Sequence, residues 1–329
     1  MFPSVLDSSA LAAFKQCPQL FKKGTIDSWK PRDQSVHLHA GGAFAKGIEV
    51  ARNAFYSGLL DTGTWHEEID ESTGNTKKHL RWVETPCQPG NAEDSVAAGL
   101  AALLASYGDY QEPADSAKSA DRMAGALEFY FSNYPLNEEE FTPILLPSGK
   151  RGIEFSFAEP LPILHPETGD PLIYCGRMDA IVNFAGGQYI MDEKTTTQLG
   201  ASWGRQFDLR SQFTGYAWGC GRAGIKIDGV IVRGVSILKT KYDTQQPVSY
   251  RPEWQVDRWY EELLDWVDDM IRAYKTGKWR HNLDHACGDF GGCGFKQVCM
   301  TAPAEQHKWL ETYYEQRAWD PITRKETKL

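Results

Sequence analysis

The chain has 329 residues, 41% hydrophobic with 11 Trp, enough for a substantial core in one large domain or two. Its net charge of -9 argues against a wholly basic nucleic-acid coat. No window reaches the roughly 18 apolar residues needed to span a bilayer, and the start lacks the basic region and apolar run of a secretory signal, so a cytoplasmic protein is expected.

In chain order, residues 7–22 read as a helix with Ser8 or Ser9 as N-cap and Pro18 as a late disturbance. Residues 42–57 form a stronger helix with the apolar stripe Phe44, Ile48, Ala51 and Phe55. His37 and His39 precede it on an expected loop. Residues 61–90 are polar and irregular, an insertion or exposed loop. Helices are expected over 91–107 and 118–133. Strand character begins in "GIEFSF" near Gly152 and returns over 171–184 and 188–194. A helix is expected over 203–219, a β-branched strand over 229–238, an amphipathic helix over 253–275, and a last helix after the Cys-rich segment. Helices flanking a short central sheet imply one α/β domain.

The segment "YCGRMDAIVNFAGGQYIMDEKTTT", 174–197, reads as a hairpin turning at Gly186-Gly187. Alternation along a strand puts Asp192 and Lys194 on one face and Glu193 on the other. The hairpin brings Asp179 toward Asp192. Two facing carboxylates repel unless a cation sits between them, and a hard ion such as Mg²⁺ or Mn²⁺ prefers oxygen ligands. Charged triplets this short also occur on merely solvated hairpins. Downstream, Gln212 and Tyr216 are four apart and share a helix face. Glu154 is a further acid on the preceding strand, with a solvent-facing role as the simpler expectation.

This ordered set resembles the RecB-like branch of the PD-(D/E)XK nuclease superfamily. It comprises Gly176 and Asp179, then Asp192, Lys194 and Thr195 ending a strand, then Gln212 and Tyr216 on a helix. The resemblance covers roughly residues 40–55 and 150–300. It implies a restriction-endonuclease-like core, a short mixed sheet flanked by helices. It also implies Asp179 and Asp192 as metal ligands, Lys194 as catalytic lysine, and Gln212 and Tyr216 lining a DNA channel. Arg177 and the basic residues 205, 210 and 222 would hold phosphates. Members of this branch often carry an early metal-binding His; here "GGAFAKGIE" has Ala45 at that position. Glu49, on the same helix face, either supplies a carboxylate instead or is an exposed acid paired with Lys46 or Arg52.

Seven cysteines, an odd number, do not suggest a disulfide framework. Cys287, Cys293 and Cys299 cluster in "CGDFGGCGFKQVC", and three thiolates leave one position open on a four-coordinate centre. The resemblance extends to Cys17: in the iron–sulfur members of this branch one early and three late cysteines hold a [4Fe–4S] cluster. The glycines 288, 291, 292 and 294 would let the backbone wrap it. Zn²⁺ on the same four thiols and unliganded cysteines are the alternatives; the C-x2-C knuckles usual for zinc are absent. Cys87, Cys175 and Cys220 read as ordinary small side chains.

The implied organisation is a single nuclease domain over 1–329. Residues 1–60 form an N-terminal helical part with the first cluster Cys, and 61–150 a helical insertion. Residues 151–252 form the core, and 253–329 a C-terminal helical part with three cluster Cys. The implied function is a Mg²⁺- or Mn²⁺-dependent DNA exonuclease of recombination, repair or phage DNA metabolism. It would act on single- or double-stranded DNA beside a helicase or single-strand annealing protein, with no membrane partner. The rival is a catalytically weak or inactive DNA-binding scaffold that keeps a structural Fe–S or Zn site. No G-x-x-x-x-G-K-[ST] motor sequence and no G-x-S-x-G elbow occur.

Overall fold

The computed structural model describes residues 1–33, 35–57, 64–69, 78–83, 90–146, 148–288 and 292–328. Cys87 and Gly291 lie outside the described residues, as does much of the segment expected to be irregular over 61–90.

The chain opens with β1 (Val5–Leu6), α1 (Ser8–Gln16), α2 (Pro18–Phe21) and β2 (Trp29–Pro31). The expected helix over 7–22 is therefore split. Pro18 has no N–H to continue α1 and sits instead at the first position of α2, leaving Cys17 extended between them. Asp7 caps α1 by accepting from the Ala10 N–H at 2.8 Å, in place of Ser8 or Ser9. Next come α3 (Val36–Ser57), β3 (Thr64–Ile69), β4 (Lys78–Val83), α4 (Ala92–Tyr107) and α5 (Ala120–Asn133). His37 and His39 belong to the first turn of α3 and not to a loop, because the Ser35 carbonyl accepts from both Leu38 and His39.

The core strands are β5 (Thr142–Pro143), β6 (Ile153–Leu164), β7 (Pro171–Phe184) and β8 (Gly187–Thr196). Then follow α6 (Ala201–Arg205), α7 (Ser211–Arg222), β9 (Gly229–Ile237), β10 (Tyr242–Gln245), β11 (Val248–Tyr250) and α8 (Glu253–Thr276). The single helix expected over 203–219 divides because Phe207 is buried and its carbonyl is taken by Arg251 at 2.6 Å. The chain ends with α9 (His285–Gly288), α10 (Lys296–Met300), α11 (Gln306–Tyr313), β12 (Tyr314–Asp320) and β13 (Lys325–Lys328).

A mixed sheet forms the centre, in the order β1-β7-β8-β9-β10, with β5 and β6 on β7 and β11 on β9. The β1–β7 and β8–β9 pairs are parallel and the others antiparallel. One face packs on α1, α7 and α8 through Phe14, Phe213, Trp218, Trp259 and Val267. The other packs on α3, α4 and α5 through Phe44, Ile48, Leu103, Leu127 and Val235. Strands β8 and β9 lie between these layers; β9 is buried throughout and β8 over Tyr189–Glu193, as inner parallel strands are. This mixed sheet between helical layers agrees with a PD-(D/E)XK fold. No helix among the described residues is long and apolar enough to cross a membrane.

Candidate active site

The site begins with a two-residue turn. Phe184 pairs with Gly187, and Ala185 and Gly186 between them take φ of 47° and 81°. Positive φ at both central residues makes this a type I′ turn, whose twist matches the strands it joins. It lies one residue earlier than Gly186-Gly187. The register then pairs Ile181 with Ile190 and Ala180 with Met191, and the next step sets Asp179 level with Asp192.

The Glu193 N–H donates to Asp179 Oδ2 at 2.9 Å. Asp192 is only 2% exposed. Its Oδ1 makes a tight ion pair with Lys194 Nζ but no well-directed hydrogen bond. Burial pushes both carboxyls up. Repulsion from Asp192 and Glu193 adds to the shift at Asp179, whereas Lys194 opposes it at Asp192. Burial would lower Lys194, but Asp192 and Asp179 outweigh it and hold the ammonium firmly charged.

The first turns of α7 close over this group. Gln212 Nε2 donates to the Tyr216 hydroxyl at 2.9 Å. Burial, then the charge on Asp192, pushes the Tyr216 phenol up to about 12. Lys194 Nζ sits 6.0 Å from the Phe213 ring centroid. The structure thus brings together Asp179, Asp192, Lys194, Gln212 and Tyr216.

Other candidates sit differently. Ile153 pairs with Ala180 and Phe155 with Met178, so Glu154 is level with Asp179 on the neighbouring strand. It has φ of 55°, a costly backbone for a non-glycine residue. It is half-buried rather than solvent-facing and forms an ion pair with Arg177. Burial raises its carboxyl, with Arg177 opposing and Glu49 adding to the rise. Glu49 itself pairs with Lys46 at 2.8 Å and lies 3.9 Å from Arg177. Arg177 is therefore engaged by two acids. Arg205 and Arg210 are exposed, and the charge of Arg210 is felt at Asp192. Arg222 is at the far end of α7, 3.5 Å from Glu159.

A buried network that sequence reasoning missed lies behind Glu193. Arg52, offered by spacing as a partner of Glu49, is buried and pairs with Glu193 at 2.6 Å. The Tyr130 hydroxyl donates to Glu193 Oε1 at 3.1 Å and accepts from Arg52 and Arg233 at 2.9 and 3.0 Å. Arg233 in turn pairs with Glu139 at 2.6 Å. Burial alone would raise Glu193, yet Arg52 overcomes it and keeps this carboxyl below its ordinary range. The available signal was Arg233 itself, a cation inside the β-branched run "GVIVRGVSI", where burial demands a partner.

The four candidate cluster cysteines come from both ends of the chain. Cys17 Sγ accepts from the Asn282 N–H at 3.5 Å, and the Cys293 N–H donates to the Cys287 carbonyl at 3.2 Å. Burial raises the Cys299 thiol, the nearby Lys23 ammonium opposes this, and Cys293, Cys17 and Cys287 each add to the rise. The Cys299 thiol thus feels the other three. Cys175 and Cys220 are buried apart from them.

Among the described residues no three His, Cys, Asp or Glu side chains converge closely enough to enclose a metal ion. Beside Asp192 the charge is met by Lys194. The donor chemistry nonetheless fits two groups. Asp192 Oδ1, buried and held only by the Lys194 ammonium, and the facing Asp179 are hard oxygen donors suited to Mg²⁺ or Mn²⁺. Four thiols with an amide donor to one sulfur and a lysine nearby suit an iron–sulfur cluster or Zn²⁺.

A family model for the PD-(D/E)XK nuclease superfamily matches residues 8–300. The chain matches none of the curated proteins. Among solved structures it is similar to one described as "Putative exonuclease" from Eubacterium rectale. That likeness covers 87% of this chain and 86% of the other, at 10% identity and a TM-score of 0.43. A second, described as SSO0001, is similar over 64% of this chain and 78% of its own, at 15% identity and a TM-score of 0.29.

Proposed function

This chain belongs to the PD-(D/E)XK nuclease superfamily, and on that premise we propose a metal-dependent DNA exonuclease of the RecB-like type, acting in recombination, repair or phage DNA metabolism. The observation that carries this reading is the facing of Asp179 and Asp192 across the β7–β8 hairpin with Lys194 locked beside them. Asp179 and Asp192 would hold Mg²⁺ or Mn²⁺, with Glu49 or the nearer Glu154 as a further carboxylate. Such an ion, when bound, supplies Lewis acidity and lowers the pKa of a coordinated water.

The remaining chemistry falls to the chain. Lys194 stays protonated beside Asp192, so its ammonium is available to the charge that develops on the phosphate. The Glu193 N–H holds one Asp179 oxygen and leaves the other for the ligand site. Tyr216, kept neutral by burial and by Asp192, donates hydrogen bonds and does not add charge. With Gln212 it orients the strand. Arg210 offers an exposed cation at the rim. The same reading assigns Cys17, Cys287, Cys293 and Cys299 to a structural [4Fe–4S] cluster, with Zn²⁺ as the alternative. A helicase or annealing protein would supply DNA ends.

Ala45 at the usual His position, with Glu49 drawn toward Lys46 and Arg177, favours a second reading as a catalytically weak DNA-binding scaffold. Incubation with end-labelled single- and double-stranded DNA in Mg²⁺ or Mn²⁺ separates the two. Nucleotide release that disappears in Asp192→Asn supports the nuclease. DNA binding with no release in either metal leaves the scaffold.

A further inference from the structure

Lys118 is a buried cation with no role in the site described above. It is 3% exposed, and its Nζ donates to Thr195 Oγ1 at 3.1 Å. Among the described residues no carboxylate pairs with it, and burial alone pulls its pKa down. Arg52 and Arg233, buried elsewhere in the fold, each meet a carboxylate at 2.6 Å. Burying a charge without a counter-charge is unfavourable unless a ligand supplies one. Nor is Lys118 loosely held. Its carbonyl accepts from the Tyr107 hydroxyl at 2.6 Å, and its N–H donates to Ser116 Oγ at 3.1 Å.

The surroundings favour an anion. Thr195 directly follows Lys194, and alternation turns it toward the α3 side of β8. Its hydroxyl lies 3.6 Å from where a Cβ on Gly41 would sit, while a Cβ on Gly42 would meet nothing within 4 Å. Gly41 thus puts no side chain between α3 and the Thr195 hydroxyl, and Gly42 is on the exposed side of the helix. That helix runs 22 residues, so its first turn carries the positive end of a full macrodipole. His37 in this turn is close enough for its imidazole to be lowered, by burial first and by Lys118 second.

We propose that Lys118, Thr195 and the first turn of α3 form a phosphate-binding subsite for the nucleic-acid strand, next to the Asp179–Asp192–Lys194 group and distinct from it. The proposal rests on the nuclease reading for the identity of the strand. Lys194 and Thr195 leave opposite faces of β8, so a strand crossing the end of that sheet, between α7 on one face and α3 on the other, meets both. The lysine supplies a point charge and the hydroxyl a directional donor. The phosphate is either an internal phosphodiester or a terminal 5′-phosphate.

The test is fluorescence anisotropy of the full chain in Ca²⁺ with a labelled DNA oligonucleotide. The oligonucleotide is single-stranded or annealed, with a 5′-phosphate or a 5′-hydroxyl, and salt runs from about 50 to 200 mM. Lys118→Met should weaken binding and reduce the slope of log K against log salt by about 0.7 to 0.9, the share of one phosphate. Lys118→Arg should keep that slope. Should Lys118→Met not fold, Thr195→Val keeps the charge and should weaken binding about 2- to 10-fold, the share of one hydrogen bond. Loss confined to 5′-phosphorylated DNA assigns the subsite to a terminal phosphate; equal loss on both assigns it to a phosphodiester. Wild-type affinity and slope in the folded variants would overturn the subsite, and a wild type that still cleaves DNA would leave the nuclease standing. A wild type that binds through Lys118 yet cleaves nothing removes the nuclease reading alone. No DNA binding by the wild type removes both.

Discussion

Asp179 and Asp192 are pushed toward their neutral forms, chiefly by burial, while Glu193, on the opposite face of β8, stays ionised because Arg52 faces it. The two kinds of carboxyl have opposite linkage. A carboxyl whose folded pKa is raised leaves the native state holding more protons, so stability falls as pH climbs from the unfolded value of about 3.9 through the raised one. Glu193 has the reverse sign: its contribution is present above about 4.3 and is lost as pH falls through its lowered folded pKa. Metal ligands must be deprotonated. The rise in Tm caused by Mn²⁺ should therefore grow with pH across the carboxylate range and shrink in Asp192→Asn; a pH-independent rise would contradict the assignment. Lys194→Ala should lower cleavage by at least about 10²-fold, the scale of a transition-state charge contact, while gel-shift affinity for DNA is kept. Arg52→Met leaves Glu193 buried and unpaired and should cost about 3–5 kcal/mol in urea unfolding. The double variant with Glu193→Gln should recover part of that loss.

At the scale of elements, the hairpin and α7 set the site. Ala185 occupies a left-handed position that Asn tolerates better. Ala185→Asn should raise stability by a few tenths to about 1 kcal/mol in chemical denaturation, with no change in DNA cleavage. Helix α7 reaches the sheet and α8 through glycines. A Cβ on Gly215 would come 2.7 Å from the Trp259 ring and 2.9 Å from the Tyr174 hydroxyl, and one on Gly219 would strike Phe157. Gly215→Ala should cost about 1–3 kcal/mol through overpacking. It should also raise KM for DNA, because the displaced helix carries Gln212 and Tyr216.

The two ends of the molecule meet away from the site. Strand β2 pairs with β12, and β12 with β13, in a second three-stranded sheet. Phe295, Val298, Leu310 and Tyr314 form a small core beneath it. The Gln19 N–H donates to the Arg280 carbonyl at 3.3 Å, close to Cys17 and its contact with Asn282. The ends are thus joined by backbone pairing and apolar packing as well as by any metal on the four cysteines. Cys299→Ser should abolish bound iron, read as about four per chain in the parent by metal analysis of anaerobically purified protein. It should lower Tm while far-UV circular dichroism stays at the parent value. Complete unfolding on metal loss would show that the cluster, and not this sheet, holds the termini.

The sequence by itself determined what depends on neighbours along the chain. The 3.6-residue stripes of α3 and α8, the β-branched run of β9 and the Gly-containing turn of the β7–β8 hairpin are local patterns. Alternation puts Asp192 and Lys194 on one face, but the register needed the structure: a turn at Gly186-Gly187 would set Asp179 against Lys194, and the observed turn at Ala185-Gly186 sets it against Asp192. The Q-x-x-x-Y spacing likewise put Gln212 and Tyr216 on one side of α7. Only the tertiary structure decided which charge meets which. Arg52 could have served Glu49 three residues away, but the sheet buries Glu193 against it at 2.6 Å. Glu154 reaches Asp179 through strand register, and β2 finds β12 from the other end of the chain. Lys118 comes to Thr195 across 77 positions. The physical reason is range: turn chemistry and periodicity act within a few residues, whereas the partner of a buried charge is set by whichever element the fold packs against it.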